Sequence, residues 1–148
     1  MMFMKQALNS ARRALLHDDV PIGAVIVRDG KIIARGENQV QQKRNPVLHA
    51  EIIAIQRACK KLGTKFLDDC DIYITLEPCA MCATAISLAR IRTIYYATPD
   101  DKGGGIAHNA RIYDTDRHLW HPKVIQTPEY AAESALMLRD FFRARRKK

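Results

Sequence analysis

Apolar residues at Met4, Ala7, Leu8, Ala11, Leu15 and Leu16 recur at helical spacing, which predicts an amphipathic helix over 4–16 ending near His17, Asp18 and Asp19. The pattern then changes to a β-branched run over 21–27, a turn at Arg28-Asp29-Gly30 and a second run over 31–36. This reads as a hairpin, because Asp29 and Gly30 tolerate the positive φ that a tight turn demands. Within 37–46 the apolar residue is Val40, and the segment ends in Asn45-Pro46, so it reads as a loop.

A second helix is predicted from His49, with Ile52, Ile55, Ala58, Cys59 and Leu62 on its buried face and Gly63 where a terminating glycine belongs. Alternation over 71–76 predicts a strand. Glu77-Pro78 then opens a helix through Ala80, Ala83, Ala85, Ile86 and Leu88 to residue 89, with Pro78 at or near its first position. A strand over 92–97 follows. Residues 98–119, with Gly103-Gly104-Gly105 inside, lack periodicity and read as a long loop carrying one short helix; such loops are usually functional or mobile. A short strand over 123–126 leads to a last helix, from Thr127 or Pro128 through Ala131, Ala135, Leu136, Leu138, Phe141 and Phe142.

This order of helices and strands predicts an α/β fold, a three-layer α/β/α sandwich on a mixed five-stranded sheet. The helices that follow the second and third strands would pack side by side on one face, first turns together. At 148 residues and 47% hydrophobic, with no internal repeat or linker, the chain reads as one domain over 1–148. That is long enough to bury a core without disulfide or metal staples.

No run approaches the length of a membrane span, and polar residues arrive too early for a secretory leader, so the expected location is cytoplasmic. The formal net charge is +8, and Arg143, Arg145, Arg146, Lys147 and Lys148 crowd the end of the chain. Such a tail is either a solvated, frayed terminus or a contact for a polyanion, nucleic acid in particular. Of the four cysteines, Cys59 and Cys70 read as small buried hydrophobes.

Cys79 and Cys82 differ, forming a C-x-x-C pair directly after Pro78 and at a helix start, where unpaired amides favour the thiolate. His49 opens the earlier helix, so His49, Cys79 and Cys82 make three soft or borderline ligands. Closed structural zinc sites have four protein ligands; three leave a position for water, whose pKa on the metal falls from about 15.7 toward neutrality. Glu51 lies near such a metal without having to be a ligand, and can carry protons. An isolated C-x-x-C also suits a redox pair, but that reading leaves His49 and Glu51 without a task. Glu77 either orients the metal ligands or favours the helix N-terminus through its charge, the second being preferred. His108, His118 or His121 could complete a closed tetrahedron, although nothing in their spacing requires it.

H-x-E followed by P-C-x-x-C is the signature of zinc-dependent nucleobase deaminases. The chain resembles one family of these, the bacterial tRNA adenosine deaminases, which convert a wobble adenosine to inosine. The likeness runs over Val20-Pro21-Ile22-Gly23-Ala24-Val25, Asn38, Asn45-Pro46, His49-Ala50-Glu51-Ile52, Thr75 to Cys82, Ala89-Arg90-Ile91, Asp100 with Lys102, and Asp140-Phe141-Phe142-Arg143 with Arg145-Arg146. The resemblance implies a cytidine deaminase-like fold, one zinc per chain on His49, Cys79 and Cys82, Glu51 as proton shuttle, and a homodimer. It also implies that a tRNA anticodon stem-loop is the substrate, met by Asn38, Asp100, Phe142 and Arg143. A deaminase of free bases or nucleosides is the alternative within the same chemistry. A zinc-stabilised nucleic-acid binding module without catalysis is the alternative outside it.

Overall fold

The computed structural model describes residues 2–115 and 119–146. Its elements are α1 (Met2–Leu15), β1 (Gly23–Arg28), β2 (Lys31–Glu37), α2 (Val40–Lys43), α3 (Ala50–Leu62), β3 (Asp71–Leu76), α4 (Ala80–Leu88), β4 (Thr93–Thr98), α5 (Ile112–Thr115), β5 (Lys123–Gln126) and α6 (Ala131–Arg146). The strands form one mixed five-stranded sheet in the order β2-β1-β3-β4-β5. β1 runs antiparallel to both β2 and β3, whereas β4 is parallel to β3 and to β5. The expected α/β/α sandwich is present.

Strand alternation divides the core into two layers. Ala24, Ile26, Ile72, Ile74, Ile94 and Tyr96 face one way, onto Ala50, Ala54 and Ala58 of α3 and Ala83 and Ile86 of α4. Val25, Val27, Tyr73 and Ala97 face the other way, onto Met4 and Ala7 of α1. The last helix, α6, lies beside α1, tied to it and to the turn that follows by the ion pairs Arg12–Glu133 and Arg145–Asp18. The two ligand-bearing helices therefore share a face, as the sequence pattern requires. Asp29 and Gly30 have φ of 52° and 75°, so the β1–β2 hairpin closes through the turn expected of it.

Three local expectations are corrected. The segment 37–46 contains the helical turn α2, because the buried Asp19 carboxylate accepts the amides of Gln41 and Gln42 at 2.7 and 3.1 Å. The buried face of α3 is centred on Ala50, Ile53, Ala54 and Ala58, leaving Ile52, Ile55, Cys59 and Leu62 half-buried. Gly36 explains the shift: a Cβ there would overlap the Ala50 carbonyl oxygen and stand 2.8 Å from the Ala54 amide, so α3 rests backbone to backbone on the edge strand β2. Pro78 precedes α4 rather than opening it. Cys79 is extended (φ −69°, ψ 172°) and its carbonyl accepts the Ala83 amide, so Cys79 is the N-cap.

Candidate active site

His49 is the N-cap of α3 and Cys79 the N-cap of α4, both with extended backbone. Cys82 lies in the first turn of α4 and is fully buried. Since α3 and α4 pack side by side, these helix starts converge. His49 Nδ1 is 3.6 Å from Cys79 Sγ and 3.5 Å from Cys82 Sγ, and the three ligand atoms lie within 4.8 Å of one another. Among the described residues this is the group of His, Cys, Asp and Glu side chains spaced to hold a metal ion. His108 and His121 are elsewhere, the first bonded to Glu77 and the second beside Tyr113, and His118 lies outside the described residues.

The electrostatics of the group follow from burial and hydrogen bonding. The Cys79 thiol is drawn down to about 4, first by the Cys82 thiol that donates to it, then by His49, against the effect of burial. The same bond, with burial, pushes Cys82 up, and the Cys79 thiolate raises His49. Glu51 is buried, and burial pushes its carboxyl up to about 7. A carboxyl poised near neutrality both accepts and returns a proton readily.

A cavity of about 220 Å³ opens onto the group, lined by Ile22, His49, Glu51, Leu76, Glu77, Cys79, Asp100 and Gly103. Larger concavities of about 460 and 710 Å³ elsewhere contain none of these side chains and no comparable cluster of titratable groups. Asp100 stands on the cavity wall with Oδ1 accepting the amides of Lys102 and Gly103 at 3.2 and 3.0 Å. Asn38 is buried next to the cavity residues, and its Oδ1 accepts the Ala50 amide at 2.9 Å. Phe142 and Arg143 are exposed on α6 and do not line the cavity. Arg145 lies over the Phe141 ring, 4.6 Å from its centroid, and pairs with Asp18, while Lys147 and Lys148 lie outside the described residues.

The pattern missed several contributors. Ile22 stands just before β1 and Leu76 at the end of β3, both lining the cavity, so alternation assigned them to strands and not to a site. Glu77 has a task beyond the two roles considered for it. Its carboxylate accepts bonds from the loop over 100–108 and from no amide of the α4 N-terminus. Burial would raise this carboxyl, but the His108 ring and the amides of Asp100, Ala107 and Ile106 more than offset it, and the group is lowered. The signal available was the glycine run, since Gly104 and Gly105 are where that loop touches Glu77 and the start of α4.

Residues 1–146 match the family model of the MafB19-like deaminases, and the chain belongs to this deaminase family. It is similar to the tRNA-specific adenosine deaminase of Agrobacterium fabrum, 45% identical over 144 residues that make up 97% of this chain and 94% of the relative. Among solved structures it resembles one from a study of A-to-I editing by tRNA:A34 deaminases at the wobble position of transfer RNA. That likeness has a TM-score of 0.88 and 44% identity, covering 93% of this chain and 99% of the other. The guanine deaminase of Bacillus subtilis is similar over less, with a TM-score of 0.64 and 45% identity across 66% of this chain and 63% of its own.

Proposed function

We propose that the protein hydrolyses the amino group from the wobble adenosine of a tRNA anticodon loop, leaving inosine and ammonia. The observation that carries this reading is the buried Glu51 carboxyl beside the His49, Cys79 and Cys82 group in one cavity, in a chain akin to tRNA-specific adenosine deaminases. The donor set fits zinc: bonds of about 2.3 Å to sulfur and about 2.0 Å to nitrogen in a tetrahedron give an S···N edge of about 3.5 Å. The spacings of 3.5 and 3.6 Å agree with it. Zinc held there, one per chain, would supply water activated at neutral pH.

The residues of the chain divide the remaining work. Glu51 takes a proton from the attacking water, delivers it to the ring nitrogen beside the amino-bearing carbon, and gives the next proton to the departing amine. A carbonyl replaces the amino group and ammonia leaves. Ile22 and Leu76 give the cavity apolar sides that exclude bulk water. Asp100, on the wall, meets a ribose 2′-hydroxyl, and Asn38 sets the start of the helix that carries His49 and Glu51. Phe142 and Arg143 contact the loop from outside the cavity. The exposed apolar side chains of α4, Met81 and Leu88, support a homodimer, and no helix is long and apolar enough to cross a membrane. A tRNA substrate supports a cytoplasmic location.

The test is ammonia release from a zinc-loaded sample offered an anticodon stem-loop with adenosine at the wobble position, its deoxyribose counterpart, free adenosine, cytidine and guanine. Fastest turnover of the RNA loop is expected, with Asp100→Ala reducing the preference for ribose. The partial likeness to a guanine deaminase makes free guanine the competing substrate, and faster turnover of guanine would transfer the protein to that reading.

A further inference from the structure

Burying a carboxylate is costly unless donors surround it, and Glu77 is surrounded from one direction only. Its side chain has no exposed surface. Oε1 accepts the Asp100 amide at 3.1 Å and His108 Nδ1 at 2.8 Å; Oε2 accepts the amides of Ile106 at 3.3 Å and Ala107 at 3.1 Å. All of these donors belong to the loop that follows β4. The loop also approaches the carboxylate with its backbone, since a Cβ at Gly104 would overlap Oε2. One residue on, the Gly105 amide donates to Pro78 O at 2.7 Å, and a Cβ at Gly105 would stand 2.5 Å from the Ala80 amide. The loop is thus seated on the segment that bears Cys79.

We propose that Glu77 is a positioning residue for the substrate wall, holding the loop against the start of α4 and so setting where Asp100 and Gly103 stand in the cavity. This rests on reading the cavity as the substrate site. Asp100 is the residue most constrained by the arrangement. Its amide donates to Glu77, its carbonyl accepts the Gly104 amide at 3.0 Å, and its Oδ1 accepts the amides of Lys102 and Gly103. Glu77 borders the cavity as well, but both of its oxygens are engaged by the loop, so it acts through Asp100. The glycines at 104 and 105 are required because any side chain would lift the loop from the carboxylate and from the Cys79 turn.

The experiment compares Glu77→Gln, Asp100→Ala and the double variant, all zinc-loaded, on the anticodon stem-loop. Glutamine keeps the shape but sets an NH2 group against backbone and ring donors. In Glu77→Gln, hydrogen exchange at the Asp100, Ile106 and Ala107 amides should quicken while zinc stays at one per chain. KM should rise about tenfold with kcat held within about twofold, and in the Asp100→Ala background the same change should add less than about twofold. Unchanged KM, an equal factor in both backgrounds, or loss of zinc overturns the proposal. Should Glu77→Gln not fold, His108→Ala removes one donor and leaves the three amides; a smaller rise in KM is expected and an unchanged KM overturns the proposal. Failure of the unsubstituted chain to act on the stem-loop would overturn the substrate reading instead. Exchange at the three amides would then decide whether Glu77 holds the loop.

Discussion

Asn38 Oδ1 accepts the Ala50 amide at 2.9 Å, joining the end of the β1–β2 hairpin to the first residue of the helix that carries Glu51. That amide is one of the donors a helix start leaves unpaired, and the side chain of the N-cap, His49, makes no capping bond to it. His49 is thereby left for the metal group. Removing the oxygen with Asn38→Ala should cost about 1 kcal/mol in the manner of a lost cap, and up to about 2 because the site is buried. Asn38→Asp retains an acceptor at the same place and should recover most of the loss. Urea midpoints of the three proteins test this; equal destabilisation by alanine and aspartate would show that the oxygen is not what matters.

Glu51 and Cys82 are both buried, yet they should fail differently when replaced. Glu51→Gln should keep zinc at one per chain and reduce turnover by about 10²- to 10⁴-fold, the range for loss of a general acid and base. Cys82→Ala removes one of three donors and should lose zinc together with activity. Metal analysis of dialysed protein beside ammonia release separates the two. Zinc loss from Glu51→Gln would make Glu51 a ligand and end its assignment as proton carrier.

Local pattern was sufficient where a segment's fate depends on its own residues. The strands over 71–76 and 123–126 and the convergence of His49, Cys79 and Cys82 follow from alternation, helix starts and spacing. It was insufficient where a distant group decides. The α2 turn is capped by Asp19, more than twenty residues earlier, and the role of Glu77 depends on amides more than twenty residues later. The α3 face was misjudged because side-chain size suggested Ile52 and Ile55, while the absence of a side chain at Gly36 selects Ala50 and Ala54.

Gly36 therefore offers a direct test of what positions the helix that carries His49 and Glu51. In Gly36→Ala the added carbon overlaps the Ala50 carbonyl, and relief requires α3 to move with His49 and Glu51 at its head. Overpacking of this kind should destabilise by about 1–3 kcal/mol and reduce turnover as well. Gly30→Ala is the control. Gly30 faces open space at φ +75°, so its cost should be about 1 kcal/mol of backbone strain with zinc and turnover intact. If both variants lost the same stability and neither lost activity, the close approach would not be what seats the helix.

Cys70 tests the expectation for the cysteines outside the metal group. It is fully buried, and burial first, then Asp69, pushes its thiol up to about 12. A raised thiol pKa leaves the protonated form dominant at every lower pH, so at about pH 8 only about one molecule in ten thousand carries the reactive thiolate. Folded protein treated with iodoacetamide should stay unmodified at Cys70 and become modified in denaturant, as peptide mass spectrometry would reveal. Rapid labelling of the folded chain there would contradict the burial.

At the basic end of the chain, Arg145 and Arg143 stand in different surroundings. Arg145 spends its charge within the fold, bonded to the Asp18 carboxylate at 3.0 Å and to the Asp18 carbonyl, with its guanidinium over Phe141. Arg143 is exposed, and among the described residues it forms no ion pair. Contact of Arg143 with one phosphate should contribute about 0.7 to the slope of log affinity against log salt, as expected for single-stranded nucleic acid. Arg143→Ala should thus flatten the slope for the anticodon stem-loop by about that amount while leaving the melting temperature unchanged. Arg145→Ala should lower the melting temperature, because it frees the end of α6 from the turn after α1, and any change in its salt slope is mixed with that loss. Fluorescence anisotropy across a potassium chloride series makes the comparison. An unaltered slope in Arg143→Ala would return this part of the tail to the status of a solvated terminus.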